Sequence, residues 1–307
     1  MLKVSELTKK YGEMTAVSSL SFTAERGKIY GLIGPNGAGK STSIRMIMSI
    51  LQPDSGTIEF EGKAFSEQDR NKIGYLPEER GLYKKQKLNE VLLYLAALKG
   101  CPASLAQKEI DRWLERFELT EWKNKKIDTL SKGMSQKAQF IGTVVHNPDI
   151  LFLDEPFSGL DPVSADELLS YVRELRTQGK LILFSTHVME QAEKVCDHII
   201  MLNHGKKILD KGLSELRTEF GGNTVNIQLA DSEESSEELS RRLSEISGIE
   251  KVIIDGSEFS LTLKKGTDVS NIFDSLAGKF RVNRFATKEQ SLHSIFINLA
   301  QKKEGLS

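Results

Sequence analysis

Cysteine is nearly absent from this 307-residue chain: only Cys101 and Cys196 occur. Two thiols cannot build a disulfide framework, so a reducing compartment is the expected setting. An excess of either charge is also missing, since 42 Lys and Arg face 43 Asp and Glu. That balance argues against a protein that works mainly by neutralising nucleic-acid phosphates, and no nucleic-acid partner is expected. Long apolar runs are lacking too. The best, Val91 to Leu98, has eight residues between Glu90 and Lys99, far short of the roughly 20 needed to span a bilayer. The beginning of the chain, MLKVSELTKK, has no apolar signal-peptide core. A place at a membrane would therefore depend on another protein.

Proline is absent after Pro162, and the pattern of elements also changes along the chain. Up to about residue 215, short apolar runs alternate with helical patterns. KIYGLIG (28–34) reads as a buried strand and SIRMIMSIL (43–51) as a helix stopped by Pro53. ILFLD (150–154) and LILFST (181–186) fit central strands of a parallel sheet covered on both faces. ADELLSYVRELRTQ (165–178) reads as a helix ended by Gly179. After Gly221-Gly222, strand and helix patterns follow in the order β-α-β-β-α-β, with a hairpin about Asp255-Gly256 and a last helix at 290–301. That order suits a ferredoxin-like unit. The expected domains are 1–217 and 222–303. The acidic run 231–239 and the basic KNKK (123–126) read as solvated segments, the former with helix-start residues.

The chemistry sits in the first domain. GPNGAGKST (34–42) fits G-x-x-x-x-G-K-[ST] between an apolar strand and a helix. Gly34, Gly37 and Gly39, with Pro35, Asn36 and Ala38 between them, let the backbone N–H groups turn onto phosphate oxygens. Lys40 is expected to reach the β- and γ-phosphates, and Ser41, followed by Thr42, to ligate Mg²⁺. A nucleoside triphosphatase also needs a carboxylate on the Mg²⁺ side and a base for water. Asp154 and Glu155, at the end of ILFLDEP and 114 residues after Lys40, supply them in that order.

LSKGMSQKAQ (130–139), just before that strand, makes the chain resemble the ATP-binding subunit of an ABC transporter. FSGLDP (157–162) resembles the family's D-loop, with Asp161, and STH (185–187) ends in its switch histidine, His187, 32 residues after Glu155. Tyr11 stands where the family's adenine-stacking aromatic lies. The resemblance covers about residues 1–215 with six ordered motifs. It implies a P-loop ABC ATPase of α/β class, with a mixed sheet core and a helical subdomain, followed here by the α+β ferredoxin-like domain. It implies ATP with Mg²⁺, and a dimer in which Ser131 and Gly133 cradle the γ-phosphate held by the opposite subunit. It further implies a membrane permease that places the chain at the cytoplasmic face of the cell membrane, with the region from Glu78 to Asn147 as the lever. One position departs from the pattern: the Q-loop, IGYLPEERGLYKK, carries Glu78 where the family has glutamine. Glu78 is expected to keep the contact with Mg²⁺ or water while adding negative charge near the triphosphate. This Q-loop and the C-terminal extension resemble exporter-type subunits of the sodium-efflux (NatA-type) group. The alternative is a soluble ABC-type ATPase acting on ribosomes or DNA. Against it, the chain has one cassette, and only 91 residues separate Lys40 from Ser131, too few for a long coiled coil.

Overall fold

A computed structural model describes residues 1–304 apart from Arg80, 221–223, 231–233, Ser257, Lys265 and 288–290. Gly221-Gly222, the start of the acidic run and the first residue of the expected last helix lie outside the described residues. The chain divides into two compact units, Met1–Gly212 and Leu213–Ser307.

Among the described residues the first unit holds ten strands: β1 (Leu2–Tyr11), β2 (Met14–Ala24), β3 (Ile29–Ile33), β4 (Ser55–Phe60), β5 (Lys63–Ala64), β6 (Ile73–Leu76), β7 (Ile150–Asp154), β8 (Leu181–Thr186), β9 (His198–Asn203) and β10 (Lys206–Gly212). Its helices are α1 (Lys40–Ile47), α2 (Leu88–Leu98), α3 (Ala103–Arg116), α4 (Lys132–Val144), α5 (Pro162–Thr177) and α6 (Met189–Val195). Six strands form one sheet in the order β10-β9-β3-β8-β7-β6. β9, β3, β8, β7 and β6 run parallel, and β10 is antiparallel at the edge. Every residue of β3, β7 and β8 is buried, as expected of parallel strands covered on both faces.

A second, antiparallel sheet has the order β2-β1-β4-β5. β1 and β2 bury alternate residues over parts of their length, so only one face meets the core. Leu2, Val4, Leu20 and Phe22 from that face share a core cluster with Ile44 and Ile47 of α1 and with Leu32, Phe152 and Leu183 of the large sheet. α1 is shorter than the expected 43–51 helix. It ends at Ile47 with Met48 as its cap, and Ser49 turns to φ 55° well before Pro53. α5 starts earlier than expected because Asp161 caps it and Pro162 fills its first position. α2, α3 and α4 pack on one another as a helical layer, and Trp113 of α3 meets Phe140 of α4 edge-on at 5.9 Å.

The second unit contains α7 (Leu213–Phe220), β11 (Thr224–Leu229), α8 (Ser236–Ser244), β12 (Ile249–Asp255), β13 (Glu258–Leu263), α9 (Val269–Ala277), β14 (Val282–Thr287) and α10 (Leu292–Glu304). Its four strands are antiparallel in the order β12-β13-β11-β14, the ferredoxin-like arrangement. Asp255 pairs with Glu258 at the tip of the β12–β13 hairpin. Val225, Ile227, Phe259 and Leu261 of the sheet pack with Leu243, Ile272 and Leu276 of α8 and α9. Ser235 and Glu238 start α8 with a reciprocal capping box.

Candidate functional site

The loop after β3 turns on glycines that nothing larger could replace. Gly34 and Gly39 have φ of 154° and 99°; a Cβ would lie 2.2 Å from the Leu202 carbonyl oxygen at the first and 2.4 Å from the Ala16 carbonyl oxygen at the second. Lys40, the first residue of α1, is buried, and its Nζ donates to the carbonyls of Gly34 at 2.8 Å and Pro35 at 3.2 Å. The same ammonium lies 3.8 Å from Glu155 Oε1. Burial pulls the Lys40 ammonium below the ordinary lysine range, against the raising effect of Glu155, Asp154 and Glu78.

β7 and β8 bring the carboxylates to this loop. Asp154 Oδ1 accepts from Ser41 Oγ at 3.2 Å and from the Ser185 hydroxyl. Its Oδ2 is buried and has no hydrogen-bond partner among the described residues. An orphaned carboxylate oxygen beside a serine hydroxyl is a hard-oxygen pair that fits a divalent cation such as Mg²⁺. Glu155 is buried, and its backbone takes φ 48°, a left-handed conformation that costs a non-glycine residue energy and turns the chain at the end of β7. Its Oε1 accepts from the His187 backbone N–H at 2.9 Å and meets His187 Nδ1 at 2.8 Å, while Oε2 accepts from Thr186 Oγ1 at 3.1 Å.

Tyr11, the 36–42 stretch of the loop, Glu78 and Glu155 line one cleft of about 490 Å³, together with Met14, Thr15, Ala16 and His204. Tyr11 is half exposed, with Lys9 Nζ 5.7 Å from its ring centroid. Gly34 and Pro35 stand behind this wall as acceptors for Lys40. Ser131, Gly133 and Asp161 do not line the cleft. Ser131 Oγ accepts from Met134 N at 3.1 Å as the cap of α4, and Asp161 Oδ1 accepts from Ser164 N at 3.0 Å as the cap of α5. A Cβ on Gly133 would meet nothing nearer than Leu160 Cδ2 at 3.9 Å, so this chain alone does not require a glycine there. Ser185 and Thr186, which hold the two carboxylates, were not among the candidate residues read from sequence, although they open the STH motif. Neither were Gln136 and Gln139, whose spacing on α4 looks like any helix face.

A phosphate loop, a strand-end Asp-Glu pair and a histidine on the carboxylate together define a P-loop nucleoside triphosphatase cassette. The ABC transporter family profile matches residues 17–158, and that of the ATP-binding protein DrrA1-3-like, C-terminal domain, matches residues 212–300. The uncharacterized ABC transporter ATP-binding protein YhaQ of Bacillus subtilis is 43% identical over 300 residues, covering 97% of each chain. The linearmycin resistance ATP-binding protein LnrL of the same organism is 35% identical over 232 residues, 75% of this chain and 74% of its own. A solved ATP-binding subunit of an ABC transporter superposes with a TM-score of 0.66 at 32% identity, over 72% of this chain and 93% of that one. The chain belongs to the ATP-binding, ATP-hydrolysing subunits of ABC transporters.

Proposed function

We propose that this chain powers an exporter: two copies close on ATP, the closure moves a membrane permease, and hydrolysis resets the pair. Support for export comes from the likeness to LnrL, whose name records resistance. The Q-loop resemblance to sodium-efflux subunits points the same way, to sodium or a drug-like small molecule as cargo. Among the described residues no helix is long and apolar enough to cross a membrane, so the permease would hold the chain at the cytoplasmic face.

The observation that carries the chemistry is Glu155, a buried carboxylate oriented from three sides and 3.8 Å from the ammonium of the phosphate loop. ATP would lie in the cleft with its base on Tyr11 and its phosphates along the loop from Gly34 to Thr42. Lys40 would then exchange its bonds to the Gly34 and Pro35 carbonyls for β- and γ-phosphate oxygens. Ser41 and Asp154 would hold Mg²⁺, which supplies charge neutralisation on the phosphates. Glu155 takes the proton from the attacking water. His187 keeps Glu155 in place through Nδ1, which leaves Nε2 as the ring nitrogen for the γ-phosphate. Glu78 faces the same cleft and serves as the coupling residue of the Q-loop. Ser131, Gly133 and Asp161, away from this chain's own cleft, complete the nucleotide site of the second copy. The ferredoxin-like unit acts as a dimerisation or regulatory module.

The test is co-purification of the tagged chain from membranes, with partners identified by mass spectrometry. Recovery of a multispanning permease is the expected result. Recovery from the soluble fraction alone, with ribosomal or DNA-bound partners, would overturn the transport assignment and leave the ATPase chemistry standing.

A further inference from the structure

The face that α4 turns inward carries a polar stripe. Gln136, Gln139 and Thr143, at helical spacing, are 3%, 6% and 4% exposed. Buried polar side chains are retained where they are hydrogen-bonded, and each of these bonds a backbone carbonyl. Gln136 Nε2 donates to the Pro156 carbonyl at 2.9 Å, one residue past Glu155. Thr143 Oγ1 lies 3.2 Å from the Tyr75 carbonyl and 3.0 Å from that of Gln139. Gln139 Nε2 reaches two carbonyls, Pro77 at 3.4 Å and Glu79 at 3.2 Å.

Those two carbonyls flank Glu78, the residue that lines the cleft. The Gln139 amide therefore grips the loop on both sides of the carboxylate without touching the cleft itself. Its own Oε1 is buried and has no hydrogen-bond partner among the described residues, an unfavourable arrangement that an apolar side chain would avoid. We infer that Gln139 is a positioning residue that fixes Glu78 in the nucleotide cleft and ties it to α4, the helix capped by Ser131. The inference rests on the role proposed above for Glu78.

A double-mutant cycle on the full chain tests it, read as steady-state ATPase kinetics. Gln139→Met keeps the length of the side chain and removes its donors. It should lower kcat about tenfold and leave KM for ATP within about twofold, because the residue acts through Glu78 and not on nucleotide binding. Gln139→Asn, too short to span both carbonyls, should fall between Met and wild type, and it carries the same cycle should the Met variant not fold. In a Glu78→Ala background, Gln139→Met should change kcat by less than about twofold, the non-additivity expected of two residues acting as one. An equal fractional loss in both backgrounds would show a merely structural role and overturn the inference. So would an unchanged kcat in Gln139→Met while Glu78→Ala is impaired. If Glu78→Ala alone leaves kcat untouched, the role of Glu78 falls, and the inference falls with it.

Discussion

The two units bury different things. Lys40, Ser43, Gln136, Gln139, Thr143, Asp154, Glu155, Lys180, Ser185 and Thr186 are the buried polar and charged residues among those described, and all lie in the first unit. The second unit fills its interior with Val225, Ile227, Leu261 and similar side chains, and none of its described charged residues is buried. A buried ion is unfavourable unless neighbours compensate it. Lys40 illustrates this, since burial weakens its hold on the proton while three carboxylates work against that effect. An interior that carries such groups is built around a reaction, and an apolar interior around a shape. The first unit thus carries the cost of burying polar and charged groups, some of which the proposed function assigns to ATP hydrolysis, while the second packs an apolar interior.

The sharpest way to break this contrast is to neutralise one buried charge and keep its shape. Glu155→Gln preserves size but cannot accept a proton. It should lower kcat by about 10³, within the range for losing a positioned general base, while ATP binding persists. The measurement is single-turnover hydrolysis combined with size-exclusion chromatography in ATP, where a closed pair of chains should accumulate. Normal turnover would mean that the first unit's buried carboxylate is structural, and the contrast between the units would dissolve.

That mutation could have been chosen from the sequence alone, and the reason is physical. A phosphate loop needs its backbone amides, lysine and hydroxyl on consecutive residues, so the chemistry from Gly34 to Thr42 is written as one string. Asp154 closes the five buried residues of β7 and Glu155 follows it, and the four apolar residues before Asp154 are visible in sequence as an uninterrupted run. The ferredoxin-like order was legible because β13 alternates strictly between buried and half-buried residues and Asp255-Gly256 marks a turn. The supports of the site were hidden because they pair residues far apart in the chain. Ser185 meets Asp154 across 31 positions, and Gln139 meets Pro77 across 62. The antiparallel sheet was also obscure: repeated register shifts between β1 and β2 break the alternation that would have announced it. The end of α1 was misplaced because Pro53 is an obvious stop, whereas the turn at Ser49 comes from backbone conformation at an ordinary residue.

The second unit offers the complementary test. Leu261 is fully buried between Val225 on β11 and Val252 on β12 by strand register. Leu261→Ala should destabilise this unit by about 2–5 kcal/mol, the usual effect of truncating a core leucine. Calorimetry with limited proteolysis at sites after Gly212 would report it. ATP affinity of the first unit should change by less than about twofold. A matched loss of ATP affinity would show that the apolar unit holds the nucleotide cleft in shape, which would erase the separation of roles.

The smallest effect separates burial from chemistry inside the first unit itself. His146 is largely buried but lines no part of the nucleotide cleft; its Nε2 bonds the Ile73 carbonyl at 3.1 Å, and its Nδ1 is buried without a partner among the described residues. Burial pushes its pKa down to about 4; the Ile73 carbonyl opposes that shift, and Lys99 and Lys180 add to it. The unfolded chain holds the same proton with a pKa near 6.5. Between these values the unfolded state binds more protons, so His146's contribution is complete above pH 6.5 and is lost as pH falls towards 4. His146→Gln offers Ile73 a donor but does not titrate. Its Tm should therefore fall less than wild type's over that window, by at least the roughly 2–4 °C that about 1 kcal/mol produces in a domain this large. ATPase activity near neutral pH should stay within about twofold. Parallel Tm curves would assign the acid sensitivity to other groups, whereas a large loss of activity would mean that the polar interior of this unit works as one piece, beyond the residues that line the cleft.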